Sequence, residues 1–330
     1  MRQTPYFIAI GDVVTDAFIR LEEASIHCTT HRERCEICMP FADKVPYKEV
    51  FVVPAVGNSA NAAVAATRLG LSSALVSNIG DDYFGQESIA ALEAEKVGTE
   101  FVKIHKGGKT NYHYVLWYQD DRTILVKHEL YAYSLPDFPQ PQWIYLSSLG
   151  EHAASLHPVI EEYLKMHEEV KLAFQPGTFQ MRMGVDALRG IYARSELFFC
   201  NKDEAQRILQ TEEDDIKKLL HEIRALGPRI AVITDGVKGA YADDGVDQWF
   251  MPPYPDPKPP LERTGAGDAF SSTFTVAIAL GLPPAYALRW APINSMSVVQ
   301  YVGAREGLLT REKLEEWLAK APTDYQPQHL

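Results

Sequence analysis

Arg263-Thr264-Gly265-Ala266-Gly267-Asp268-Ala269-Phe270 runs straight into an apolar segment, Phe274 to Leu280. Two glycines bracket one small residue, so an external group can approach the backbone closely. The Ala-rich run behind them predicts a buried helix with the glycines at its N-terminus. Free N–H groups and the helix dipole make that end a site for an anion. Asp268 in the first turn repels phosphate, which makes sense where a neutral hydroxyl must be aimed at the anion. A hydroxyl, a phosphoryl group and a carboxylate meeting at one helix end is what phosphoryl transfer needs. The plainer alternative is an N-cap at Thr264 with Asp268 favoured by the dipole. A dinucleotide fingerprint is disfavoured. It needs a third glycine three residues after the second, where this chain has Phe270, and the segment lies too late for a first βαβ unit.

Working outward, Pro252 to Pro260 reads as a surface loop leading into this motif. Further upstream, strands and helices alternate. Strands are expected at Tyr6–Ile10, Ala74–Ile79, Trp143–Leu149, Val170–Phe174, Glu196–Cys200 and Arg229–Thr234. Helices are expected from Gly57-Asn-Ser-Ala-Asn61 to Leu69-Gly70, and over 84–95, 154–168, 204–209 and 216–226. Such βαβ alternation predicts an α/β fold: a mostly parallel central sheet flanked by helices on both faces. Two stretches depart from it, about 18–53 and 103–127. The second forms two strands around the turn Gln119-Asp120-Asp121-Arg122. Both are expected in a small β-sheet lid, and Tyr325 to Leu330 reads as a frayed tail.

The 330 residues suit one large α/β domain, 1–330, with that lid as an appendage. A formal net charge of −12 without a Lys/Arg run excludes nucleic acid and anionic membranes as expected partners. The apolar run after Tyr6 is too short for a signal peptide, and no segment reaches the roughly 20 apolar residues of a membrane span. A cytoplasmic protein is expected.

With these residues in view, the chain resembles the ribokinase-like, or PfkB, family of sugar and nucleoside kinases. Five elements carry the resemblance, in family order. They are Gly57-Asn58-Ser59-Ala60-Asn61 through Leu69-Gly70, Ile79-Gly80-Asp81-Asp82-Tyr83-Phe84-Gly85, Asn201-Lys202-Asp203-Glu204, Thr234-Asp235-Gly236-Val237-Lys238-Gly239, and Thr264 to Asp268. The resemblance implies a ribokinase-like fold and ATP-dependent transfer to a sugar hydroxyl. Asp268 is then the base, and the N–H groups of Gly265, Ala266 and Gly267 stabilise the transferring phosphoryl. A nucleoside is the alternative acceptor, and a phosphosugar kinase or a non-catalytic sugar sensor stand behind it.

The remaining roles follow position by position. Asp12 and Asp16 follow the first strand, where open α/β sheets bind ligands, and Asp16 matches the family's sugar-binding position. Gly57, Asn58 and Asn61 match its sugar-contacting stretch, although Asn61 also suits a helix cap. Asn201 and Glu204 are implied near Mg²⁺ and the phosphates, with Glu204 reaching the metal through water; a plain helix-start pair is the alternative. Thr234, Gly236 and Gly239 are implied along the nucleotide, with Asn294 near the base. Glu262 stands where the family commonly has Asp, in a region that helps some members hold a monovalent cation.

The resemblance does not account for Cys28, His31, Cys35 and Cys38. Their spacing supplies four ligands of the kind zinc prefers, with ordinary lid packing as the alternative. Alternation places Tyr112, Tyr114 and Tyr118 on one face of their strand and Trp117 on the other. A homodimer through the lid is expected, with Trp117 and Tyr118 at the contact.

Overall fold

The computed structural model of the protein describes residues 5–28, 35–119 and 121–330. A ten-stranded sheet forms the centre. Its strands are β1 (Phe7–Ile10), β6 (Ser73–Gly80), β7 (Val102–His105), β10 (Trp143–Leu146), β11 (Lys171–Phe174), β12 (Ser195–Asn201), β13 (Ile230–Thr234), β14 (Ala240–Asp243), β15 (Gln248–Met251) and β16 (Gln328–His329). The order is β16-β15-β14-β13-β12-β11-β10-β1-β6-β7. Neighbours from β7 to β13 pair in parallel, and β13 to β16 continue antiparallel.

Strand periodicity explains the unbroken apolar run at β1. Phe7 and Ala9 enter one core and Ile8 and Ile10 the other, as expected of a parallel strand covered on both faces. The helices Asn58–Arg68, Ala266–Ala279 and Pro284–Val298 pack on the first face. Leu156–Met166, Lys202–Leu209 and Ile216–Ala225 pack on the second. Among the described residues no helix is long and apolar enough to cross a membrane.

A four-stranded sheet, β5-β2-β8-β9, stands apart. It comprises β2 (Val14–Leu21), β5 (Tyr47–Val56), β8 (Tyr112–Tyr118) and β9 (Asp121–Leu125). Its limits differ from the expected lid. Residues 14–17 belong to it, whereas 102–105 form β7, an edge strand of the main sheet. Short runs of mixed polarity at a sheet edge do not announce which sheet they join. A separate hairpin pairs β3 (Ser25–Cys28) with β4 (Cys35–Cys38).

The C-terminal segment is not frayed. Tyr325 is buried, its hydroxyl donates to the Arg289 carbonyl at 2.8 Å, and β16 pairs with β15. An aromatic anchor outweighs the polar composition around it. Trp117 also departs from expectation. It is buried on the inner face of the small sheet, with the Arg20 guanidinium 4.6 Å from its ring centre.

Candidate active site

The sheet delivers the site residues at the carboxyl ends of its strands, as open α/β sheets do. Asp12 follows β1, Gln175 follows β11, Asn201 ends β12 and Thr234 ends β13. The Asn58–Arg68 helix begins at Gly57, whose φ is +111°. A Cβ there would lie 2.6 Å from the Asp12 carbonyl oxygen, so only glycine lets this helix end meet the β1 loop.

The Ala266–Ala279 helix supplies the centre. Gly265 precedes it with φ +81°, and a Cβ at Gly265 would lie 2.2 Å from Ala304 Cβ. Glu262 braces the loop from below. One of its oxygens accepts from the Thr264 N–H at 2.6 Å and the other from Gly303 N–H at 2.9 Å. The position the resemblance links to a monovalent cation thus spends its carboxylate on backbone. Behind Gly303, Arg68 forks onto Glu95 at 2.9 and 2.6 Å and donates from Nη1 to the carbonyls of Arg305, Glu306 and Leu308. No sequence motif pointed to Arg68.

Two cavities meet at this helix end. One, of about 430 Å³, is lined by Asp16, Gly57, Asn58, Asn61, His113, Thr264 and Asp268, among others. The other, of about 190 Å³, is lined by Thr234, Gly236, Gly239, Arg263, Ala266 and Gly267, with Phe270 and Met296. The two thus share one helix N-terminus, with Thr264 and Asp268 on the larger side.

Asp268 is held from two directions. Asn61 Nδ2 donates to Oδ2 at 2.8 Å and Gln175 Nε2 to Oδ1 at 3.1 Å. Tyr145 fixes the Gln175 amide by donating its hydroxyl to Oε1 at 2.5 Å, so the amide N–H₂ is left for the carboxylate. Burial raises the Asp268 carboxyl above its ordinary range, against the lowering by the Asn61 and Gln175 amides. Gln175 was not foreseen; its place just past a strand end was the available signal.

Asp16 is buried, its Oδ1 has no hydrogen-bond partner, and His113 Nδ1 stands 3.5 Å away. Asn61 Oδ1, His113 Nε2 and Thr264 Oγ1 are buried and unpartnered as well. A cavity lined by unspent donors and acceptors is ready for a hydroxylated ligand. Asp12 differs from Asp16. Its oxygens accept from the Tyr133 hydroxyl at 2.8 Å and the Gly150 N–H at 2.7 Å, so it braces loops at the cavity edge. His128, Phe179 and Arg182 complete that edge.

Two expectations need correction, those for Asn294 and for the cysteines. Asn294 is fully buried away from the smaller cavity, donating to Thr273 Oγ1 at 2.7 Å and accepting from Leu309 N–H at 2.9 Å. Asn201 and Glu204 stand together at the end of β12 in a reciprocal capping box at 2.8 and 2.9 Å. Cys28 and Cys35 are joined in a disulfide, which removes two thiolates from the zinc set, and Cys38 is free. His31 lies outside the described residues, among which no group of metal-ligating side chains occurs.

An acid at a helix N-terminus between two cavities, on a mostly parallel sheet, suits an α/β phosphotransferase with an alcohol group as acceptor. The family model described as pfkB family carbohydrate kinase matches residues 23–311, and the chain belongs to that family. It is 28% identical over 272 residues to the ribokinase of Bacillus subtilis, covering 80% of this chain and 87% of that one. It is 31% identical over 237 residues to the cytidine kinase of Thermococcus kodakarensis, covering 69% and 81%. The structure of Arabidopsis thaliana ribokinase complexed with ribose and ATP superposes with a TM-score of 0.77 at 19% identity, over 96% and 99% of the two chains.

Proposed function

We propose that the enzyme transfers the γ-phosphoryl group of ATP to a hydroxyl of a sugar. The observation that carries this reading is the meeting of two cavities at one helix N-terminus, with the carboxylate of Asp268 on one side only. Asp16 and Asn61 hold acceptor hydroxyls. Asp268 orients the attacking hydroxyl and takes its proton. A loose transition state asks for orientation more than for a strong base, and the raised Asp268 carboxyl is nearer to the proton it must accept. The N–H groups of Gly265, Ala266 and Gly267 receive charge on the phosphoryl oxygens. Thr234, Gly236 and Gly239 pass along the nucleotide.

Burial raises the Glu204 carboxyl, and it feels the charge of Asp268. Two carboxyls within each other's field fit an oxygen-seeking cation. Glu204 would hold Mg²⁺ through water, beside Asn201, and the ion supplies neutralisation of the nucleotide phosphates.

A nucleoside acceptor is the second reading. Phe179, Ile124 and Val126 give the larger cavity an aromatic and apolar wall, and a nucleoside kinase of Methanothermobacter thermautotrophicus is 25% identical over 258 residues. A coupled ADP-release assay over sugars, nucleosides and sugar phosphates tests both. Failure of every sugar and nucleoside overturns the reading.

A cytoplasmic homodimer completes the proposal. Val52, Ala17, Tyr114 and Leu125 form one cross-strand row on the outer face of the small sheet. Val52, Tyr114 and Leu125 are exposed there, a face suited to a second copy. Sedimentation at micromolar concentration tests it, and a purely monomeric profile refutes it.

A further inference from the structure

Arg122 stands in β9 opposite Trp117. Alternation puts its side chain on the same face as Ile124, which lines the larger cavity. His113 and Asp16, on the neighbouring strands, line the same cavity. This is the face of the small sheet turned toward the Ala266–Ala279 helix. The Nε of Arg122 is buried and has no hydrogen-bond partner. Among the described residues its guanidinium meets one carboxylate, Asp121 at 3.4 Å, whose side chain is 78% exposed. Such a contact holds a guanidinium weakly. The charge of Arg122 nevertheless reaches Asp268, where it favours the carboxylate. A buried, unspent guanidinium N–H on the sheet face that carries Ile124 of the larger cavity is unfavourable unless a ligand supplies its acceptor.

We propose that Arg122 is a catalytic residue, a cation carried by the small sheet onto the oxygens of the phosphoryl group in transfer. The role rests on the phosphoryl-transfer reading above. The bond from the γ-phosphorus to the ADP oxygen breaks, and the bond to the acceptor oxygen forms. The hydroxyl proton goes to Asp268, and Arg122 stays protonated throughout. A planar, permanently charged fork suits three spreading phosphoryl oxygens better than a point charge. The backbone N–H groups of the helix serve those oxygens from one side and Arg122 from the sheet side. Placement of the small sheet over the acceptor is thereby coupled to completion of the charge-stabilising set.

The test compares wild type with Arg122→Ala, Arg122→Lys and Asp268→Asn, using the acceptor most active in the ADP-release panel. Arg122→Ala should lower kcat about 100- to 1000-fold, the scale of one lost donor to transition-state charge, with both KM values within about threefold. Arg122→Lys should recover part of the loss. With Mg²⁺ and acceptor present, ADP plus aluminium fluoride should bind Arg122→Ala about 100-fold more weakly than wild type, on the same scale, while ADP alone binds both alike. A merely structural role would not separate those two ligands. Near-normal kcat in Arg122→Ala overturns the proposal. So does a raised acceptor KM at unchanged kcat, which makes Arg122 a clamp for the ground-state acceptor, such as a sugar phosphate. Loss of turnover in Asp268→Asn beside an active Arg122→Ala rejects this role alone; an active Asp268→Asn brings down the transfer reading and this role with it.

Discussion

The two cavities that meet at the Ala266–Ala279 helix are built from different material. The larger has an apolar wall at Ile124, Val126 and Phe179, and facing it several polar side chains with buried, unspent atoms: Asp16, Asn61, His113 and Thr264. The smaller is walled by glycine turns and apolar groups, among them Gly236, Gly239, Phe270, Met296 and Val299. Unspent polar atoms discriminate strongly, because a ligand lacking the matching group leaves them unpaired. Apolar walls and turns discriminate by shape. On the proposed reading the acceptor is selected by side chains and the nucleotide accommodated largely by backbone. Asp268 lines the larger cavity and not the smaller, so its replacement should tell the two sides apart.

The largest effect comes from breaking the junction itself. Asp268→Asn should lower kcat by about 10²- to 10⁴-fold, the range of a positioned acid or base. ATP binding, measured by calorimetry, should persist, because the nucleotide side does not use this side chain. Near-normal turnover would remove Asp268 from the chemistry and dissolve the distinction between the cavities.

On the acceptor side, Asp16→Ala should cost about 1.5–3 kcal/mol, as for hydrogen bonds to a charged group. That corresponds to a rise of roughly 10- to 100-fold in acceptor KM. The KM for ATP should stay within about twofold on the same scale. Equal rises for both substrates would place Asp16 outside the acceptor site.

The same contrast explains what the sequence disclosed. Turns that approach a ligand with backbone need small residues in fixed order, so Gly265-Ala266-Gly267-Asp268 and Gly57-Asn58 were legible. The alternation of apolar runs and helical stretches revealed the parallel sheet. Gln175 and Arg68 were not legible as site residues, because each acts across the fold on a partner distant in the chain. Gln175 reaches Asp268 across 93 positions, and Arg68 reaches Leu308 across 240. No local pattern encodes such a meeting. The cysteines misled for the reverse reason: their spacing suited a metal, but pairing across a hairpin, Cys28 opposite Cys35, brings two of them together first.

Asn294 sharpens the nucleotide side. Its amide bridges Thr273 and the Leu309 N–H within the core. Asn294→Ala should destabilise the fold by about 1–3 kcal/mol, the cost of leaving buried partners unpaired, while the KM for ATP is unchanged. Thermal unfolding with parallel kinetics separates the two. An ATP KM raised without a fall in Tm would return Asn294 to the nucleotide site.

The smallest effect is a displacement along the pH axis, and it tests how Asp268 is tuned. Burial raises its carboxyl, and the amides of Asn61 and Gln175 pull it back down. Transfer needs the unprotonated carboxylate, so kcat/KM should fall as pH drops through the value held by the folded protein. Gln175→Leu deletes one lowering hydrogen bond, and Asp268 should then stay protonated to higher pH. The acid limb of the profile should move upward, with little change on the plateau above it. Stability follows the same shift with a definite sign. A carboxyl whose folded value lies above its unfolded value costs nothing when protonated in both states. It destabilises the fold as pH rises from the unfolded value through the folded one. Asp268→Asn should therefore gain in Tm over wild type at neutral pH and lose that gain in acid. An acid limb that stays in place in Gln175→Leu would mean that the amide orients Asp268 without tuning it.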